Sequence, residues 1–164
     1  MKNTLSMLRN RSFKIDGYLS ESIWKNGECM GYKLFDLRDH REHPFISTKG
    51  GKGWEKIGPY FFLPKSLTKA KKIIRRAASA DLSVVDEVGP LELAGKGVWP
   101  ALAEVLFSQP DFFLVIRESV LEEFLSILKR EEVLVYSLSG KISPPELAAS
   151  LRAEIEKRSE LRSS

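Results

Sequence analysis

With 164 residues, 43% hydrophobic and 29% charged, the chain is long enough to bury the core of one domain, and its aromatic content excludes extensive disorder. A formal net charge of +4 leaves both phosphorylated substrates and nucleic acid open as partners. No apolar run is long enough to span a bilayer, no signal-type stretch opens the chain, and the lone Cys29 excludes an internal disulfide or a thiolate metal cage, so a cytoplasmic protein without membrane contact is expected.

Taken in chain order, residues 13–20 read as a strand. Ile23-Trp24 and residues 29–37 read as the arms of a hairpin, because Asn26-Gly27 suits a two-residue turn with positive φ at both positions. Residues 41–47 suit a further strand, held to an edge or a bulge by Pro44. Lys49-Gly50-Gly51-Lys52-Gly53 is a loop, and residues 59–63 are a short aromatic run ended by Pro64. From Ser66, read as a cap, Leu67, Ala70, Ile73, Ile74, Ala77 and Ala78 recur at helical spacing. Lys65, Lys69, Lys71, Lys72, Arg75 and Arg76 line the other side, a stripe read as a solvated face, with nucleic-acid contact as the alternative.

Three apolar strands follow, at residues 82–86, 112–116 and 133–138, separated by helices at 100–107 and 120–129. Strands joined by helices in this way predict parallel pairing with right-handed crossovers. Ser143-Pro144-Pro145-Glu146 is a capping box that opens a last helix, 145–158. The expected fold is one α/β domain over residues 1–164, three-layered, with a mainly parallel sheet and an N-terminal antiparallel β-hairpin.

The chemistry concentrates at Val84-Val85-Asp86-Glu87-Val88-Gly89-Pro90. An apolar strand runs straight into two carboxylates, and the carboxyl ends of parallel strands are where open α/β sheets bind ligands. Adjacent strand residues point to opposite faces, so Asp86 and Glu87 cannot both be core. Arg117, at the end of the next strand, suits either a phosphate sensor or an ion pair with a surface acid. Trp24, Trp54 and Trp99 read as packing residues, with base stacking by Trp54 as the alternative. Cys29 reads as a buried apolar residue, and Arg38, Arg41, His40 and His43 as solvated loop positions, with an arginine acting in trans as the alternative for Arg38 and Arg41.

The longer string from Asp81 through Leu93, with Gly95-Lys96-Gly97 and Trp99-Pro100-Ala101-Leu102 after it, resembles the small nucleoside-triphosphatases of the thermophile and cancer-related type. Asp16-Gly17-Tyr18-Leu19-Ser20, Gly31-Tyr32, Phe35-Asp36-Leu37 and Gly58-Pro59-Tyr60-Phe61-Phe62 extend the resemblance in order over roughly residues 15–127. It implies a RecA-like P-loop fold, nucleoside triphosphate as substrate and Mg²⁺ as cofactor. By that resemblance Asp86 takes the metal-holding Walker B role and Glu87 the role of catalytic carboxylate. Glu92 and Lys96 fall in a matching loop without a defined role and read as surface residues.

The family's first strand and its G-x-x-x-x-G-K-[ST] loop, whose amides and lysine hold the phosphates, have no counterpart string here. Lys49–Gly53 and Gly95–Gly97 place Gly where the Ser or Thr must stand. The expectation is therefore a fold of this family lacking its first strand, with no cofactor-binding loop and weak Mg²⁺ binding. Hydrolysis is expected to be weak or absent unless a P-loop is supplied. A sheet edge left open would also favour self-association. The alternative is a non-catalytic protein-interaction or nucleic-acid-binding module that keeps the fold.

Overall fold

The computed structural model describes residues 1–8, 13–107, 111–128, 133–138 and 142–163, which fall into two compact units. The larger, Lys14–Lys129, is built on a seven-stranded sheet. Its strands are β1 (Ile15–Lys25), β2 (Glu28–Asp36), β3 (Glu42–Ser47), β4 (Lys56–Ile57), β5 (Tyr60–Phe62), β6 (Leu82–Val88) and β7 (Phe112–Ile116), in the order β4-β5-β3-β2-β1-β6-β7. The β6–β7 pairing is parallel, as expected for strands joined by a helix, and the β1–β6 pairing is parallel as well. The other four pairings are antiparallel, so the hairpin region supplies the larger share of a mixed sheet.

Local chemistry accounts for these elements. Asn26 and Gly27 adopt φ of 51° and 81°, the turn that joins β1 to β2 without splaying them. The two β-like runs before the turn form one continuous β1, with a register shift between Ile23 and Trp24. Pro44 sits opposite Lys33, where the β2–β3 register slips, so its missing N–H interrupts a ladder that is already broken. Gly17 has φ 128°, and a Cβ there would stand 1.9 Å from the Val84 carbonyl oxygen. Only glycine permits the close β1–β6 approach at that point.

Helix α2 (Pro64–Ala77) starts two residues before Ser66: Leu63 is its N-cap, and Pro64 opens the first turn. Its Leu67, Ala70, Ile73, Ile74 and Ala77 are buried against Tyr18, Phe45, Phe62 and Val85 in one core cluster. The cluster also takes in α4 (Trp99–Leu106) and α5 (Leu121–Leu128). The Ser83 hydroxyl donates to the Ala77 carbonyl (2.6 Å), tying the end of α2 to β6. Leu19 and Val84 alternate with this core face and are buried as well.

The second unit, Met1–Phe13 with Arg130–Ser164, packs α1 (Lys2–Leu8) against α6 (Pro144–Ser163). The expected capping box forms: the Ser143 N–H donates to Glu146 Oε2 (2.8 Å), and the Glu146 N–H to Ser143 Oγ (3.4 Å). Residues 133–138 correct the sequence reading. They form no strand, and Val133, Leu134, Val135 and Leu138 are exposed. A β-branched run becomes a strand only when a neighbour takes its backbone groups, and none of the described residues pairs with this one.

Candidate active site

Strand β6 runs between two parallel neighbours and extends past Asp86 to Val88, so both carboxylates stand near the carboxyl end of the strand. Pairing with β7 slips between Asp86 and Val88. The two side chains meet different surroundings. The Ser20 N–H donates to Asp86 Oδ2 (3.4 Å). Burial pushes the Asp86 carboxyl up to about 7; that N–H offsets it only in part, and the Glu87 charge adds to it. Glu87 Oε1 is ion-paired with Arg117 Nε, and both side chains keep solvent contact. The pairing raises the Arg117 pKa above its ordinary value. Arg117 is anchored in turn, its N–H donating to the Val88 carbonyl (3.0 Å). Of the two sequence readings for Arg117, the ion pair holds, and the acid it meets is Glu87.

Glu87 and Arg117 line a cavity with Tyr18, Ser20, Tyr32 and Gly89. At about 30 Å³ it has room for water and none for a nucleobase. Tyr18 is one of its lining residues and is fully buried; desolvation and the nearby Glu92, Asp86 and Glu87 charges push its phenol well above the usual value.

Glu92 corrects the reading of a surface loop residue. It is buried, accepts from the Gly89 N–H (3.0 Å) and the Val98 N–H (3.3 Å), and caps the short helix α3 (Pro90–Leu93) from within. Burial raises its pKa, and the two N–H donors offset part of that. The Gly-Pro-x-Glu string from Gly89 to Glu92 was the available signal, since Glu at the third helical position commonly returns to the cap. Gly97, at φ 57°, leaves room for this carboxylate: a Cβ there would stand 2.3 Å from Glu92 Oε1.

The basic stripe is also partly corrected. Arg76 points inward and bridges two buried acids, Asp16 through Nε (3.0 Å) and Nη2 (2.5 Å), and Asp36 through Nη2 (2.7 Å) and Nη1 (3.3 Å). Arg38 completes the cluster on Asp16 Oδ2 at 2.8 Å, and Arg75 is paired with Glu104. Hydropathy spacing could not reveal these partners, which lie 40 and 60 residues away in sequence.

Other singled-out positions fall away from the carboxylates. Trp99 packs edge-on against Phe124, whereas Trp24 is largely exposed and is no packing residue. Trp54 lies against Gly51 in the loop that also holds Lys49–Gly53, and no helix follows that loop directly. Cys29 is half-buried rather than core, its thiol donating to the Gly31 carbonyl (3.6 Å). His43 lies within β3, with Nε2 buried and without a hydrogen-bond partner, and burial lowers its pKa.

Among the described residues no cluster of three His, Cys, Asp or Glu side chains could cage a metal. Mg²⁺ does not need one: it keeps several waters and binds through one or two carboxylates plus substrate phosphates. Asp86 fits that part. Its carboxyl is half-buried, receives one long N–H bond and has a raised pKa, while the adjacent guanidinium is spent on Glu87.

A family described as NTPase matches residues 1–141. The chain is 28% identical to a nucleoside-triphosphatase THEP1 of Thermofilum pendens over 155 residues, covering 90% of this chain and 85% of that protein. It is 33% identical to a nucleoside-triphosphatase THEP1 of Metallosphaera sedula over 110 residues, 67% of this chain and 59% of that one. The crystal structure of THEP1 from Aquifex aeolicus superposes with a TM-score of 0.73 at 15% identity, covering 94% of this chain and 90% of that one. The α/β fold is thus shared with a solved relative.

Proposed function

We infer the function from one premise: this chain belongs to the NTPase family. In our reading it supplies the carboxylate half of a Mg²⁺-dependent nucleoside-triphosphatase site, with residues 1–164 acting as one catalytic domain. Asp86 holds the metal, through a water, and Glu87 is the catalytic carboxylate. Bound Mg²⁺ would supply positive charge to the phosphates. The chain's own residues do the rest. Arg117 pairs with Glu87 and fixes its orientation, and the cavity beside Glu87 has room for a water within reach of its carboxylate. Glu92 holds the 89–98 loop that closes the cavity.

The observation that carries this reading is the placement of Asp86 and Glu87 at the carboxyl end of a strand flanked by two parallel neighbours, with Arg117 directly after the second of them. We further propose that residues 1–164, in which no G-x-x-x-x-G-K-[ST] string occurs, turn over nucleotide weakly by themselves. Two carboxylates repel a polyphosphate unless amides and a lysine attract it. That same observation favours, as second reading, a non-catalytic interaction module.

Phosphate release from Mg²⁺-bound nucleoside triphosphates tests both. It would be measured on residues 1–164 and on a chimaera carrying a relative's first strand and phosphate loop ahead of Met1. Background rates for the first and turnover by the second are expected. Turnover by neither, with both forms folded, would favour the interaction module.

A further inference from the structure

The cavity beside Glu87 is lined by three side chains with polar atoms that the fold itself leaves unused. Among the described residues, no hydrogen-bond partner meets the Tyr18 hydroxyl, the Ser20 hydroxyl or Glu87 Oε2. Ser20 spends its N–H on Asp86, and Glu87 spends Oε1 on Arg117. Buried polar groups are ordinarily bonded to protein or to water, so three that converge without a protein partner point to water.

Tyr18 is 1% exposed. Among the described residues, the one side-chain atom that is both sealed and unpartnered is His43 Nε2. The Tyr18 hydroxyl is therefore not sealed, and the little surface that Tyr18 keeps lies at that hydroxyl, in the cavity that the residue lines. The side chain is held firmly. Tyr18 pairs with Asp36 of β2 and with Val85 of β6, and its ring packs edge-on against Phe45 at 5.7 Å. Ser20 stands two residues further along β1 and so projects to the same face. Burial and the surrounding acids keep the phenol protonated through neutral pH, so it meets the cavity as a donor.

A buried water needs two to four polar partners and roughly 10–15 Å³ of room. The cavity, at about 30 Å³, meets both conditions. The three groups also divide the bonding of a water between them. The Tyr18 O–H donates to one lone pair. Glu87 Oε2, as a carboxylate oxygen, accepts one proton, and Ser20 Oγ accepts the other. One lone pair of the water is left over.

We propose that Tyr18 is a positioning residue for hydrolysis: with Ser20 it holds in this cavity the water that Glu87 works on, and leaves that water's remaining lone pair for the terminal phosphate. The proposal rests on the hydrolytic reading of Glu87. In the step it serves, the water oxygen bonds to the terminal phosphorus. The bond from that phosphorus to the bridging oxygen breaks, its electron pair leaves with the diphosphate, and the water's proton passes to Glu87.

Tyr18→Phe keeps the ring and removes only the hydroxyl, which separates positioning from packing. High-resolution crystals of the full 164-residue chain and of the variant read the water directly. In the wild type an ordered water is expected about 2.6–3.2 Å from both Tyr18 Oη and Glu87 Oε2, and in Tyr18→Phe it should be absent or displaced. The variant should melt within about 3 °C of the wild type, since the hydroxyl bonds to no other part of the protein. In the loop-bearing chimaera Tyr18→Phe should lower kcat about tenfold or more and leave KM within about twofold, with a smaller loss for Ser20→Ala. A wild-type cavity without ordered water would overturn the proposal, as would a water that keeps its place in Tyr18→Phe. An unchanged kcat for Tyr18→Phe in a chimaera that turns over would overturn it while sparing the hydrolytic reading. A chimaera without turnover, beside crystals that show the water, would defeat the hydrolytic reading and the positioning role with it, leaving a structural water.

Discussion

Replacing Arg76 with Met keeps most of the stem's volume and removes the guanidinium that joins Asp16 to Asp36. Asp36 is 0% exposed and Asp16 3%. After the change Asp16 keeps Arg38 and the Gly17 N–H, whereas Asp36 keeps only the Arg38 and Asp39 N–H groups among the bonds described here. Leaving one buried charge of a pair uncompensated costs about 3–5 kcal/mol, a large part of the roughly 5–15 kcal/mol that holds a typical domain folded. The pH dependence has a definite sign. Burial alone would raise the Asp36 pKa, but Arg76 and the two N–H groups outweigh it, and the folded value lies below the ordinary one. In the wild type this carboxylate therefore contributes stability above its unfolded pKa, and that contribution is lost as pH falls through the folded value. In Arg76→Met burial dominates, the folded value rises, and the variant gains relative stability as Asp36 takes up a proton. Urea unfolding at pH 7 should show the full deficit, with a smaller one near pH 4, and Asp36→Asn added to Arg76→Met should restore part of it at pH 7. A deficit under about 1 kcal/mol that does not change with pH would refute the reasoning.

Asp86, pushed up to about 7 by burial, contributes stability below the unfolded value near 4 that is lost as pH rises through about 7. At about 1.4 kcal/mol per pH unit, Asp86→Asn should raise stability by up to about 4 kcal/mol at pH 8 and leave it unchanged near pH 4, as read by thermal melts. Glu92→Ala removes the acceptor of two buried N–H groups and should cost about 2–3 kcal/mol in the same melts at pH 6, with Glu92→Gln recovering part. Gly17→Ala drives a Cβ into the Val84 carbonyl and should abolish folding or lower the melting temperature by more than about 10 °C. Fluorescence anisotropy with single- and double-stranded oligonucleotides should show no salt-dependent binding, because Arg75 and Arg76 are spent on Glu104, Asp16 and Asp36.

What was legible in the sequence was local. Asn26-Gly27 dictates its own turn, Pro44 marks the bulge, and the apolar stripe of α2 names the residues it buries. Asp86 and Glu87 stand out in the sequence because an apolar run ending in two acids breaks the pattern of a buried strand. What was hidden depends on partners remote in sequence. Arg76 looks like its lysine neighbours until the fold brings Asp16 and Asp36 to it. Arg117 and Glu87 lie 30 residues apart, one just past the end of β7 and the other on the adjacent β6. Residues 133–138 carry strand-like composition, but pairing partners, not composition, decide whether a strand forms.

The central claim is that Glu87 works on a water beside a polyphosphate, with Asp86 holding the metal. It is tested most directly in the loop-bearing chimaera by comparing nucleotide affinity with single-turnover hydrolysis for Glu87→Gln. Affinity within about threefold of the parent and hydrolysis lower by about 100-fold or more is the predicted result. Unchanged hydrolysis in Glu87→Gln would contradict it.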